Sequence, residues 1–256
     1  MSKNHGIQIG GFLARLDDSR AFSLFCERVY GLDLLQMNRM DAAQFTKLLE
    51  LLDLSSNDLV LDLGCGLGTI TEYISDVTQA RLVGIDIAVE AIKRAQSRTK
   101  EKWERLEFYE TDFNDLSFQL QTFTGIIAID SLYDDCVDDL EQTLSRLKAL
   151  LKPQGQMGVF YTANKAPDET ADLLDPKKTY LAQALDSQGL EFQTWEFTEN
   201  ECHLLETKKE VAGQLEEEFR LEGNQDICEK TIKHSEKLLQ RIKRGNARRF
   251  LYYVKS

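Results

Sequence analysis

The run Leu61-Asp62-Leu63-Gly64-Cys65-Gly66-Leu67-Gly68-Thr69 sets three glycines at alternate positions, behind an apolar stretch that reads as a strand and ahead of a helix-forming one. Glycine lets a backbone come close to a ligand and point amide N–H groups into the crevice at the carboxyl end of a sheet. That is the chemistry of a nucleotide-like cofactor site. A dinucleotide fingerprint would read Gly-x-Gly-x-x-Gly, whereas Thr69 stands where its third glycine belongs. Asp62 adds a carboxylate at the rim, where like charge would oppose a pyrophosphate.

Three more acids fall at expected strand ends. Asp86 closes Arg81-Leu82-Val83-Gly84-Ile85-Asp86, where a carboxylate can accept hydrogen bonds from both hydroxyls of a ribose. Asp112 follows Leu106-Glu107-Phe108-Tyr109 in a Thr-Asp-Phe turn; it can receive an adenine amino group while Phe113 contributes backbone polarity or ring contact. Asp130 ends Gly125-Ile126-Ile127-Ala128-Ile129. Acids on one sheet edge, without a pyrophosphate fingerprint, suit a cofactor with a cationic amino-acid tail and no phosphate. S-adenosylmethionine has both properties, and NAD is the rival occupant.

With these residues in hand the chain resembles the class I S-adenosylmethionine-dependent methyltransferases. Asp62-x-Gly64-x-Gly66-x-Gly68 is similar to the family's first motif, Asp86 to its second-strand acid, and Thr111-Asp112-Phe113 to its adenine-contacting turn. The stretch from Leu150 to Met157 looks like the family's approach to its fifth strand. The resemblance covers about residues 43 to 163. It implies an α/β fold with a Rossmann-like seven-stranded, mostly parallel sheet whose last strand runs antiparallel between the fifth and sixth. It also implies cofactor contacts by Asp62, Gly64, Cys65, Gly66, Asp86, Ile87, Asp112, Phe113 and Asp130. Cys65 reads as a small residue tolerated in the loop and not as a catalytic thiol, while Gly68 reads equally as a packing glycine or as an aid to ligand approach.

The methyl acceptor must lie near the ends of the fourth and fifth strands or under the N-terminal segment. Tyr133 stands three residues beyond Asp130, the offset of the aromatic residue in the Asp/Asn-Pro-Pro-Tyr motif of nucleic-acid amino-methyltransferases, but both prolines are missing. Tyr133 could line an amine pocket through its ring face, or simply pack the loop. Asp134, Tyr161 and Asn164 are within the same region. His203, in Asn-Glu-Cys-His, is the histidine expected to act as a base if one is used. Thr162-Ala163-Asn164-Lys165 lacks the Asp-Asn pair of metal-dependent catechol-type enzymes, and no metal is expected.

The elements that must position these groups follow from periodicity. Residues 1 to 42 read as a helical cap, with Phe22, Phe25, Cys26 and Val29 at helix spacing and Gly31 to Met40 as a linker that could act as a lid. Residues 43 to 165 alternate short apolar runs with helices, the pattern of a parallel sheet covered on both faces. Residues 166 to 256 hold a helix around Thr179 to Gln188, a strand over Phe192 to Phe197, a charged helical insertion at about 200 to 245, and a final strand through Arg249 to Val254. The expectation is a single domain.

Composition narrows the partners. The 256 residues carry a formal net charge of −12, which repels phosphate backbones, so a nucleic-acid partner is not expected. Cysteines at 26, 65, 136, 202 and 228 lack any Cys-x-x-Cys pair and fit reduced thiols. No apolar run approaches the length of a membrane span and residues 1 to 11 lack a secretory apolar core, so a soluble cytoplasmic protein, monomer or homodimer, is expected. The reading is methyl transfer to N or O of a small molecule. Methylation of a protein or nucleic acid, and cofactor binding without catalysis, are the alternatives.

Overall fold

The computed structural model describes residues 3–113, 115–133, 139–166 and 168–256, with side chains described from residue 8 onward. Seven strands form one sheet: β1 (Leu59–Leu63), β2 (Arg81–Asp86), β3 (Leu106–Glu110), β4 (Phe123–Ile129), β5 (Leu151–Asn164), β6 (Glu191–Glu196) and β7 (Ala247–Lys255). Their order is β3-β2-β1-β4-β5-β7-β6. The first five strands pair in parallel, while β7 runs antiparallel to both β5 and β6. The expected reversed last strand therefore lies between the fifth and sixth.

Ten α-helices accompany the sheet among the described residues. They are α1 (Lys3–Asp17), α2 (Arg20–Tyr30), α3 (Ala42–Leu52), α4 (Thr69–Thr78), α5 (Val89–Arg98), α6 (Leu140–Leu150), α7 (Tyr180–Ser187), α8 (Thr198–Gln214), α9 (Glu216–Leu221) and α10 (Gln225–Lys243). Polar caps fix several starts: the side chains of Ser19, Asp41, Asp139 and Thr179 accept from amides in the first turns of α2, α3, α6 and α7. The helix expected from Val137 is described from Leu140, and residues 134–138, including Asp134 and Cys136, lie outside the described residues. No helix among the described residues is long and apolar enough to cross a membrane.

Alternation along the strands divides the core. Leu61, Leu63, Ile126, Ala128 and Val159 meet Leu144 and Leu147 of α6 and Leu181 and Leu185 of α7 on one face. Val60, Leu82, Ile127, Phe160 and Leu251 meet Leu48 of α3, Ile74 of α4 and Ile92 of α5 on the other. Both faces are covered, which is why these strands read as continuous apolar runs.

A third cluster joins the two ends of the chain. Phe22, Phe25 and Cys26 of α2 pack with Leu204 and Val211 of α8, Phe219 of α9 and Ile227 of α10. The N-terminal helices and the late insertion thus make one body above the carboxyl edge of the parallel strands. The linker between α2 and α3 is tied down on both sides. Lys208 of α8 donates to the carbonyls of Met37 and Asn38 at 3.2 Å each, and the Tyr30 hydroxyl donates to Asn38 at 2.8 Å. In place of a loose lid the segment forms a pinned wall.

Candidate active site

The chain leaves β1, moves outward through β2 and β3, and returns to β4 on the other side of β1. Ligands of open α/β sheets bind at such a reversal. A cavity of about 1130 Å³ opens there, bounded by the glycine loop, the linker at residues 35–39, the ends of β4 and β5, and α10. Small-molecule sites are typically about 300–1,000 Å³, so a cofactor and a modest acceptor fit together.

The glycine loop shows a division of labour. Gly64, Gly66 and Gly68 all have positive φ, at 73°, 54° and 69°. A Cβ on Gly68 would lie 2.5 Å from the Phe108 ring, and one on Gly64 would lie 2.8 Å from Ser131 Cβ, so both positions are closed by packing. A Cβ on Gly66 would meet nothing within 4 Å. Gly66 is therefore the member that leaves the backbone open to a ligand, and Gly68 serves the contact between α4 and its neighbours.

Two acids back this loop. Asp86 accepts the Gly66 and Ala88 amides at 2.9 Å each, which aims its carboxylate along the loop. Asp62 is buried and accepts the Thr71 hydroxyl at 2.6 Å. Burial pushes the Asp62 carboxyl up to about 6, against the Thr71 hydrogen bond, and the charge of Asp86 pushes the same way. Burial also raises Asp86, opposed by its backbone donors. No cation among the described residues pairs with either acid. Two carboxylates beside an open amide, without a counter-ion, fit a cofactor that brings a positive charge and ribose hydroxyls.

The remaining expected contacts divide. Cys65 lines the cavity, but burial and the two acids push its thiol well above the ordinary range, so it is protonated and no nucleophile. Ile87, Asp112 and Phe113 sit at the ends of β2 and β3 outside the cavity lining. The Phe113 ring is buried in the core beside Gly64.

Asp130 is held differently from Asp62 and Asp86. It lines the cavity, but Arg249 donates to both its oxygens at 2.6 and 3.1 Å, and Arg39 donates through its amide at 2.8 Å and its guanidinium at 3.2 Å. The Tyr133 hydroxyl adds a bond at 2.7 Å. Burial would raise this carboxyl, yet Arg249 and Arg39 hold it well below the usual range. Buried Glu201 lies 3.0 Å from Arg39 and 3.8 Å from Arg249 and completes the network. Asp130 thus braces the linker wall while it lines the cavity.

Tyr133 belongs to the same brace. Its ring stacks on Tyr161 with centroids 5.8 Å apart, and the Arg39 guanidinium lies 5.6 Å from its centroid. The ring is thus already stacked on Tyr161 and bordered by Arg39. Burial and then Asp130 push its hydroxyl above the ordinary range, so Tyr133 does not serve as a base. His203 is exposed on α8 and absent from the cavity, because the helix turns its buried stripe of Leu204, Leu205 and Lys208 inward. The histidine that does line the cavity is His234 of α10. Burial, Arg39, Lys208 and Lys237 all lower its proton affinity, so the imidazole is neutral near neutral pH.

Reasoning from sequence did not single out Arg39, Arg249, Glu201 or His234. An arginine inside the apolar strand Phe250-Leu251-Tyr252 is the one signal that was available, since a buried arginine needs a carboxylate.

This sheet order, with the glycine loop and paired acids at the reversal, is that of the class I S-adenosylmethionine-dependent methyltransferases. The profile of the methyltransferase-domain family matches residues 54–219, and the chain belongs to that family. S-adenosylmethionine is accordingly its cofactor. Methyltransferase phqN of Penicillium fellutanum is 32% identical over 104 residues, 40% of this chain and 31% of that protein. A sterol 24-C-methyltransferase of Debaryomyces hansenii is 31% identical over 111 residues, 43% of this chain and 29% of that protein. The chain thus matches less than a third of the length of these two curated relatives.

Among solved structures, phosphoethanolamine N-methyltransferase 2 of Haemonchus contortus in complex with S-adenosyl-L-methionine superposes with a TM-score of 0.74 at 16% identity, covering 97% of this chain and 60% of that one. The cyclopropane synthase MmaA2 of Mycobacterium tuberculosis gives 0.71 at 13% identity over 94% and 98% of the two chains. Both likenesses concern the fold.

Proposed function

We propose that the chain transfers a methyl group from S-adenosylmethionine to N or O of a small molecule. The observation that carries this reading is one walled cavity with two unpaired acids at the glycine loop and a neutral histidine on the opposite wall. Asp86 would hold the ribose hydroxyls, and the negative charge of Asp62 and Asp86 would favour the cationic cofactor. When bound, the cofactor supplies an electrophilic methyl group. Arg39 and Asp130 fix the linker across the cavity, which excludes water and holds the acceptor in place. His234 takes the proton that a hydroxyl or ammonium acceptor must lose.

A carbon acceptor is the second reading, favoured by the sterol 24-C-methyltransferase among the relatives. The test uses the full chain with methyl-labelled cofactor and a fractionated metabolite extract. Label should enter the small-molecule fraction on N or O, and His234→Gln should lower the rate by about 10²–10⁴-fold while S-adenosylhomocysteine affinity stays unchanged. Label found only in protein or nucleic acid, or no transfer despite cofactor binding, would overturn the proposal. Label on carbon would replace it with the second reading.

A further inference from the structure

The wall of the cavity away from the glycine loop has its own charge pattern. His234, Lys237, Arg241 and Arg244 follow one another at helical spacing of three and four along α10 and its C-cap, and all of them line the cavity. Lys165, just past β5, lines it too. Register brings these groups together, because Asn164 at the end of β5 pairs with Ala247 at the start of β7, directly after the turn that ends α10. In a chain of net charge −12, this end gathers Lys165, Lys237, Arg241 and Arg244 against the single carboxylate of Glu169.

Glu169 offsets only part of this charge: it interacts with Lys165 and Arg241, whereas Lys237 and Arg244 have no ion pair with it. The Lys165 ammonium also donates to the Ala166 and Glu169 carbonyls at 3.2 and 3.1 Å. The Glu169 carboxylate accepts from the Tyr180 hydroxyl and the Ala166 amide. Cations in the last turn of a helix stabilise its dipole even when they face solvent, but that leaves the direction of this stripe unexplained. Arg241 is the informative member: one guanidinium nitrogen donates to the Lys165 carbonyl at 3.3 Å, while its Nε is buried with no partner among the described residues. A buried donor left open costs free energy that a ligand oxygen would recover.

Position assigns the ligand. The acids of the cofactor half stand over β1 and β2, while the cations stand over β5 and β7, with β4 between them. Neighbouring strands are about 4.8 Å apart, so the two halves are separated by roughly the width of two strands. We propose that the methyl acceptor carries an oxyanion, phosphate or carboxylate, that docks on Arg241, Arg244, Lys237 and Lys165 and presents the acceptor atom toward His234. This inference rests on the methyltransferase reading of the cavity. Arginine forks match both oxyanions.

The probes are inorganic pyrophosphate and succinate, titrated calorimetrically into the full chain with and without saturating S-adenosylhomocysteine. Lys237→Gln/Arg244→Gln is the main variant, since neither side chain is buried. Arg241→Gln is the second. One of the two anions should bind the wild type, which tells phosphate from carboxylate, and each variant should weaken it by about tenfold or more while S-adenosylhomocysteine affinity is kept. Binding of neither anion, or binding that both variants leave unchanged, would overturn the proposal. Parallel loss of S-adenosylhomocysteine affinity would also overturn it, by assigning the cations to the cofactor carboxylate. Anion binding to a wild type that fails to bind S-adenosylhomocysteine would uphold the anion site and sink the cofactor reading instead.

Discussion

The halves of the cavity on either side of β4 rest on opposite electrostatic arrangements. Beside β1 and β2, Asp62 and Asp86 are met, among the described residues, only by a hydroxyl and backbone amides. At the end of β4, Asp130 is met by two arginines and a tyrosine. All three acids occupy or border strand ends, so position alone does not tell them apart. Their partners do: a buried carboxylate without a cation is held at a cost that a cationic ligand can relieve, whereas one locked between guanidinium groups is scaffold.

The comparison is broken most forcefully at Arg249. Arg249→Met leaves Asp130 and Glu201 with Arg39 as their only shared cation among the described residues, and uncompensated buried charge costs about 3–5 kcal/mol. Denaturant unfolding should show a loss of that size, and a loss below about 1 kcal/mol would mean that the network is not the brace described.

Asp62 gives the next effect, with the opposite sign. Its folded carboxyl is raised to about 6 from an ordinary 3.8, so its protonated form is the one folding favours. The stability it contributes is complete below the ordinary value and is lost as pH rises through about 6. A shift of about two units corresponds to roughly 3 kcal/mol. Asp62→Asn should therefore flatten the pH dependence of stability between those values and be the more stable protein at pH 7, while binding S-adenosylmethionine more weakly. A variant less stable than wild type at pH 7 would contradict the assignment of Asp62 as a strained ligand group.

The two halves were not equally legible in the sequence. The cofactor half is local: Gly64, Gly66 and Asp62 lie within one turn, and Asp86 reaches Gly66 across adjacent strands, so spacing alone revealed it. The α/β order was legible for the same reason, since each apolar run folds as one element, while the reversed last strand came only from the resemblance to the methyltransferase family. The brace is non-local. Asp130 draws its arginines from 91 and 119 residues away, and no periodicity links those positions. His203 and His234 both sit in helical sequence, and only the packing of α8 and α10 decides which faces the cavity. The linker from Gly31 to Met40 read as a lid because its ties to Lys208 and Asp130 come from far along the chain.

If the acids at β1 and β2 hold the cofactor and the opposite wall does not, calorimetric titration of S-adenosylhomocysteine into the wild type, Asp86→Ala and Arg241→Gln will separate the two variants. Losing the hydrogen bonds of one charged acceptor, each worth about 1.5–3 kcal/mol, should weaken Asp86→Ala by about a hundredfold, with Arg241→Gln within about twofold of wild type. Equal losses at the two positions, or a loss at Arg241 alone, would contradict the account.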